Sequence, residues 1–130
     1  EPLARFEDGI DLDGASARLD AGSSMVVLEL AWGARATPSR DYAAYAHVLG
    51  ARGEMVAQSD RPPGSAAYPT SLWDDGEALR ESRDIPVPAG TTGLTVRVGL
   101  YVPSTGERLK VVDGQSSGSD GVDVPVTPAR

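Results

Sequence analysis

The sequence predicts an all-β protein, an antiparallel β-sandwich of about eight or nine strands in an immunoglobulin-like or jelly-roll-like arrangement. Three observations support this. Apolar and polar residues alternate with a period of two along several short segments. Fifteen Gly and ten Pro residues interrupt those segments and supply turns. Finally, no segment shows convincing helical periodicity, since the Ala-rich run at residues 43–46 lies inside a strand-like pattern.

The length and charge of the chain limit its possible partners. With 130 residues we expect a single domain spanning 1–130. The net charge of −7 disfavours binding to nucleic acid and to anionic lipid. No apolar run is long enough for a membrane span, so we expect no direct membrane insertion of this domain. The first residue is Glu1, and we therefore expect a domain excised from a longer protein.

The chemistry available to the chain is also limited. It has no Cys, which excludes disulfides, thiolate metal sites and a thiol nucleophile. We find no phosphate-cradling Gly loop before a helix, no nucleophile motif and no metal-ligand spacing. No cofactor and no metal are therefore expected.

The first elements are strands. Residues 1–22 read as two short strands joined by a solvated turn at residues 11–14, where a calcium site is the alternative. Residues 23–32 form a strand with one wholly apolar face. Residues 41–49 form the next strand, and because both its faces are apolar it is expected to be central. Residues 54–60 form its return strand.

The register of this hairpin has two solutions. A two-residue turn would pair Gly50 with Gly53 and place Gln58 on the same face as His47. A type I turn with a bulge would pair Gly50 with Glu54 and move Gln58 to the other face. Turn chemistry favours the bulge, because Gly53 suits a left-handed conformation and the two residues before it do not.

The second half continues the pattern. Residues 61–77 form Pro/Gly-rich loops, and residues 78–87 form a mostly polar strand that we place at a sheet edge. Residues 94–102 show the clearest alternation, and residues 107–112 and 122–126 are the last two strands. The side chains expected between the sheets are Val26, Leu28, Leu30, Val96, Val98 and Leu100.

An aromatic and acidic group marks a candidate ligand site. It consists of Trp73 with Asp74, Asp75 and Tyr68, to which Tyr45 and Tyr101 could add further rings. Exposed rings flanked by carboxylates are typical of carbohydrate sites, because ring faces cover C–H patches while carboxylates bind hydroxyls. The alternative is that Trp73 folds back as a plug over one end of the sandwich.

The chain's single histidine suggests a structural polar cluster of His47, Gln58 and Asp60 that pins the hairpin to the Pro-rich loop. We expect His47 to be mostly buried and hydrogen-bonded, because an unpaired buried polar ring is costly. A general base or a metal ligand is the alternative role.

Carboxylates are the remaining candidates for catalysis. Asp60, Asp74, Asp75 and Glu77 could supply the pair that a glycosidase needs. Acidic loops also produce such clusters by capping their own amides, and we favour that role. The domain is therefore predicted to have no catalytic residues, to hydrolyse no glycoside and to transfer no sugar.

Several spaced motifs together resemble a known family. They are Tyr45-Ala46-His47-Val48-Leu49, Gly53, Val56-Ala57-Gln58-Ser59-Asp60, Pro63-Gly64, Tyr68-Pro69-Thr70-Ser71, Trp73-Asp74-Asp75-Gly76-Glu77, Val98-Gly99-Leu100-Tyr101 and Thr105-Gly106-Glu107-Arg108-Leu109. Over about residues 25–126 the chain resembles the C-terminal β-sandwich domain of bacterial multi-pass membrane proteins of the family-39 glycosyltransferase, or protein-mannosyltransferase, type. Gly50 departs from the pattern, which expects a polar turn residue there, and this affects only the turn.

The resemblance implies a non-catalytic, extracytoplasmic accessory domain, periplasmic or at the cell surface, attached to a membrane protein. Its role would be structural, or recognition of a glycan or of the membrane part of its own parent protein. A carbohydrate-binding module proper is the first alternative, and a small glycan-active enzyme that uses carboxylates is the second. Burial or exposure of Trp73 distinguishes the first two roles.

Overall fold

The computed structural model describes residues 1–128 and is all-β, which confirms the predicted fold class. Its helical residues within that range are two three-residue 3₁₀ turns, Glu7–Gly9 and Thr70–Leu72. No helix within that range has the length and apolar character needed to cross a membrane. The strands are β1 (Ala4–Phe6), β2 (Ile10–Asp20), β3 (Met25–Ala34), β4 (Ala43–Leu49), β5 (Met55–Arg61), β6 (Ala78–Pro86), β7 (Thr95–Tyr101), β8 (Val111–Gly114) and β9 (Val122–Pro128).

The strands form two sheets that β9 joins. The first sheet has the order β8-β1-β2-β3-β6, and the second has the order β5-β4-β7-β9. Residues 122–125 of β9 pair antiparallel with β7, whereas residues 126–128 pair parallel with β2. The other strand pairs of the described chain are antiparallel. This order is consistent with a β-sandwich.

The core lies between the two sheets, where the sequence placed it. The six predicted positions are all at most 2% exposed: Val26, Leu28, Leu30, Val96, Val98 and Leu100. Each such side chain stabilises the fold by roughly 1.5–3 kcal/mol. The predicted central position of β4 is also confirmed, because it pairs with both β5 and β7.

The predicted turn at residues 11–14 is wrong. Those residues lie inside β2, where a bulge between Leu12 and Gly14 absorbs Asp13 as an extra residue. The chain reverses earlier, in the 3₁₀ turn, where Asp8 has φ of 60° and Gly9 has φ of 81°. Aspartate tolerates this left-handed conformation better than most residues do. The residues that form the turn therefore lie before β2, and not in the Asp-rich segment at residues 11–14.

The edge strand β6 carries two charged side chains into the interior. Among the strands of residues 1–128 it pairs only with β3, which confirms the edge prediction. Arg83 is 1% exposed and donates hydrogen bonds from its guanidinium to the carbonyls of Ala44, Ser59 and Arg61. The carboxylate of Glu81 accepts from Arg83 Nε at 2.7 Å. The pair thus closes the side of the sandwich between β6 and β5 and occupies edge carbonyls that could otherwise pair with another chain.

Candidate functional site

The hairpin of β4 and β5 begins with the predicted bulged turn. The amide of Gly50 donates to the carbonyl of Glu54 at 2.8 Å, and Gly53 has φ of 82°. Leu49 then pairs with Met55. Of the two registers that the sequence allowed, the turn itself therefore adopts the one that its chemistry favours.

A second irregularity then changes the register again. Leu49 pairs with Met55, but Val48 pairs with Ala57, so one more residue is inserted in β5. His47 consequently lies directly opposite Gln58. The expectation that the bulged turn moves Gln58 to the other face is wrong, because two inserted residues restore the alternation that one would have reversed.

This register gathers the polar cluster on the outward surface of the second sheet. Asp60 lies opposite Tyr45 on the same face as the His47 pair, and β7 contributes Arg97 opposite His47. We call this surface the His47 face. Its members are Tyr45, His47, Gln58, Asp60, Arg97, Tyr101 and Arg108.

Tyr45 is the residue of the His47 face against which its neighbours pack. It points away from the core yet is only 1% exposed. The guanidinium carbon of Arg108 lies 4.5 Å from the centre of its ring, a cation–π distance. Its hydroxyl donates to the backbone carbonyl of Asp120 at 2.8 Å, which fastens the loop before β9 onto the sheet.

The ring of His47 lies beside the ring of Tyr45. The two ring centroids are 4.5 Å apart, and the ring planes are tilted by 38°. His47 is half-buried, and the described residues supply no hydrogen bond to its ring. The ring is partly buried as expected, but the expected hydrogen bond to a protein partner is not found among residues 1–128. Partial exposure lets water satisfy the ring nitrogens, so no protein partner is required.

The protonation of His47 follows from the same geometry. Burial lowers the pKa of its imidazole, the carboxylate of Asp60 opposes that shift, and Arg97 and Arg108 add to it. The ring is therefore mostly neutral at pH 7 and offers one nitrogen as a donor and one as an acceptor.

Asp60 has a protein partner on the same surface. The hydroxyl of Tyr101 donates to its Oδ2 at 3.0 Å. Partial burial and this bond raise the pKa of the Tyr101 hydroxyl. Asp60 is thus held across β5, β4 and β7 as part of the polar cluster that the sequence predicted.

The proposed ring platform at Trp73 does not exist in the structure. Trp73 is 0% exposed, and its indole Nε1 donates to the carbonyl of Tyr68 at 3.0 Å. A buried ring cannot stack on a sugar, so its assignment as a ligand-binding residue is wrong. The alternative, in which the ring folds back as a plug, is confirmed.

The other residues of that predicted site are engaged with their own loop or exposed to solvent. The Tyr68 hydroxyl donates to Glu77 at 2.6 Å, and this bond is the main reason that the pKa of Tyr68 is raised to about 12. Glu77 also accepts from the amide of Asp74 at 2.7 Å. Asp75 is exposed. Without the tryptophan ring, the remaining three residues of the predicted site form, with Glu77, a capped loop and not a platform.

Two ion pairs that sequence reasoning missed each involve an arginine of the His47 face. Arg97 binds Asp123 through Nε at 2.8 Å and Nη2 at 3.2 Å, and Arg108 lies 3.7 Å from Asp120. The alternation along β7 and β9 was a usable signal for the first pair, since both of its residues sit on the polar side. No local pattern indicates the second pair, because Arg108 makes an isolated bridge to Tyr101 and Asp120 lies in the loop before β9.

In comparisons with known proteins, no family model, no curated protein and no solved structure matches the chain. Within residues 1–128 no three His, Asp or Glu side chains are grouped so that they could hold a metal ion. The site is therefore interpreted from its own geometry.

Proposed function

We propose that this chain is a non-catalytic accessory domain that recognises a partner through the His47 face. The observation that carries the proposal is the half-buried ring of His47. It is held by Tyr45 at the centre of a polar and aromatic surface, while its nitrogens have no partner among residues 1–128. Aromatic bodies with polar tips on a rigid sheet are well suited to binding, because little side-chain entropy is lost on contact.

The state of the carboxylates supports the non-catalytic part of the proposal. A glycosidase needs two carboxyl groups that face each other across a cleft, one of them with a raised pKa. Glu77 caps its own loop and has a lowered pKa, mainly because the Tyr68 hydroxyl donates to it. Asp60 accepts from Tyr101, and Glu81 is buried against Arg83. Each of these three carboxylates therefore has a structural role.

The location is part of the same proposal. The resemblance to the C-terminal domains of family-39-type membrane glycosyltransferases supports an extracytoplasmic domain attached to a membrane protein. Several motifs that carry the resemblance, around His47, Gln58, Asp60 and Tyr101, contribute to the His47 face. The partner is then a glycan or the membrane part of the parent protein.

A paired binding screen tests the proposal. The purified domain is applied to a glycan array and to solubilised membrane proteins of the source cell, together with His47→Ala and Asp60→Ala. A control, Ser82→Ala, changes an exposed residue on the other sheet. We expect a bound partner that both face variants lose and the control keeps. Binding that survives both face variants, or glycoside turnover abolished by Asp60→Asn, would overturn the proposal.

A further inference from the structure

An open cleft of about 400 Å³ lies beside the His47 face, between β7, β9 and the loop before β9. Its walls include Arg97 and Asp123 on one side and Arg108, Ser117 and Asp120 on the other. Arg97 is the cross-strand partner of His47, so cleft and face are continuous. The volume falls within the usual range for small-molecule sites, roughly 300–1,000 Å³.

The loop that forms one wall is held in place by its own backbone. The amide of Val111 donates to the carbonyl of Ser119 at 2.7 Å, and the amide of Gly118 donates to the carbonyl of Val111 at 2.8 Å. The hydroxyl of Tyr45 also donates to the carbonyl of Asp120 in this loop, and Gly121 leaves room for that hydroxyl. The wall is therefore pre-organised for a ligand.

The cleft offers hydrogen-bond donors and acceptors in balance. Two guanidinium groups and two carboxylates line it, and these four side chains are 40–49% exposed. Only Nε and Nη2 of Arg97 donate hydrogen bonds to Asp123. The 3.7 Å between Arg108 and Asp120 is too long for a hydrogen bond, so both groups keep most of their capacity. The hydroxyl of Ser117 adds a group that can donate and accept.

We propose that this cleft binds a neutral saccharide, which specifies the ligand class of the function proposed above and rests on it. Each hydroxyl of a sugar donates and accepts hydrogen bonds, which suits a surface where guanidinium and carboxylate groups alternate. An anionic ligand would face Asp120 and Asp123 within a chain of net charge −7, and a cation would face Arg97 and Arg108. Arg108 is already oriented by its contact with Tyr45.

Amide chemical shifts measured by NMR during titration test the proposal. The probes are maltose, cellobiose and lactose as neutral disaccharides, with 3′-sialyllactose and inorganic phosphate as anionic ones. We expect at least one neutral disaccharide to shift the amides of residues 116–121, with saturation at a Kd of roughly 0.1–10 mM. Losing one charge-assisted contact, in Arg97→Gln or Arg108→Gln, should weaken binding about tenfold.

Two further variants separate a specific effect from a folding defect. Ser117→Trp adds a large side chain to the cleft wall while leaving all four ion-pair residues unchanged, and it should abolish the shifts. Arg52→Gln removes an exposed arginine in the β4–β5 turn and should leave the affinity unchanged. Spectra of the free variants show whether each one is folded.

Failure of the saccharide proposal can be distinguished from failure of the proposed recognition function. No saturable shift at the cleft with any neutral probe, shifts only with the anionic probes, or binding insensitive to Ser117→Trp would each overturn the saccharide assignment. If His47→Ala still abolishes binding of a membrane protein in that case, the recognition function stands and only the ligand class fails. If neither a saccharide nor a protein depends on these residues, both proposals fail.

Discussion

The ring of Tyr45 lies directly against the backbone of Gly99, its cross-strand partner on β7. A Cβ atom at Gly99 would sit 2.5 Å from Cζ of Tyr45, closer than any carbon contact allows. The absence of a side chain at Gly99 is therefore what lets Tyr45 lie flat under Arg108 and beside His47. The position of Tyr45, against which Arg108 and His47 pack, depends on this close approach.

The first prediction follows from that contact. Gly99→Ala should lower the free energy of unfolding by about 1–3 kcal/mol, because the tyrosine ring must move out of a packed position. Urea denaturation measures the change. Gly14→Ala is the matched control, since its nearest neighbour would be 4.0 Å from the new Cβ. Equal stability of Gly99→Ala and wild type would show that Tyr45 is not held as described.

The second prediction concerns the buried tryptophan. Trp73→Ala should cost about 3–5 kcal/mol, because it empties a fully buried site. Its neighbour Leu72 is 58% exposed, and Leu72→Ala should change stability by no more than about 0.5 kcal/mol. Thermal and urea unfolding of the two variants check this. A Trp73→Ala protein as stable as Leu72→Ala would contradict the role of Trp73 as a plug.

The third prediction concerns the buried ion pair. Burial raises the pKa of Glu81, but the bonds from Arg83, Gly64 and Trp32 outweigh burial and leave it below its ordinary value of 4.5. Glu81→Gln leaves the Arg83 charge buried without a counter-charge and should cost about 3–5 kcal/mol at pH 7. Asp84→Asn, on the exposed side of the same strand, is the control.

The pH dependence of that difference provides the check. A depressed carboxyl pKa contributes stability above about 4.5, which is lost as pH falls through the pKa of the folded state. Unfolding free energies of wild type and Glu81→Gln should therefore converge on going from pH 7 to below pH 4. A difference that stays constant with pH would contradict the ion pair.

The fourth prediction concerns the protonation of His47. Burial is the main cause of its lowered pKa, so the imidazole should titrate below the ordinary 6.5 when followed by NMR. The unfolded chain then binds the proton more readily, and stability falls as pH drops below about 6.5 toward the pKa of the folded state. His47→Gln should lack this part of the pH dependence. A measured pKa at or above 6.5 would contradict the half-buried position of the ring.

The sandwich, its core and its edge strand could be predicted from the sequence, because all three depend on local alternation. Val98 shows this for the core: its position on the apolar face of a period-two strand was enough to place it between the sheets. For β6, the Pro at its end and its polar composition indicated an edge.

The face of Gln58 could not be predicted, because it depends on the sum of two insertions. Gly53 indicates the first insertion. The second insertion, beside Val56, has no local sequence signal. A one-residue error reverses every side chain in a strand, so partial knowledge of the turn gave the wrong face. Register of this kind is decided by packing across the sheet.

Burial of polar and aromatic groups was the other limit. Trp73 lies in a loop with acidic neighbours, a context that is also typical of exposed rings. Only the tertiary structure places it in the core. The inward direction of Glu81 and Arg83 was accessible in principle, because both alternate in phase with the buried Ile85. Charged residues are almost never fully buried unless paired, and the pairing of Glu81 with Arg83 is not visible in the sequence.

Site-specific photo-crosslinking in cells that express the gene encoding this chain tests the central claim most directly. A benzophenone amino acid is placed at Gln58 on the His47 face or at Ser82 on the opposite sheet, both of them exposed positions. Recognition through the His47 face predicts a discrete adduct, protein or polysaccharide, from position 58 only, and predicts its loss on adding His47→Ala. No adduct from position 58, or the same adduct from position 82, would contradict it.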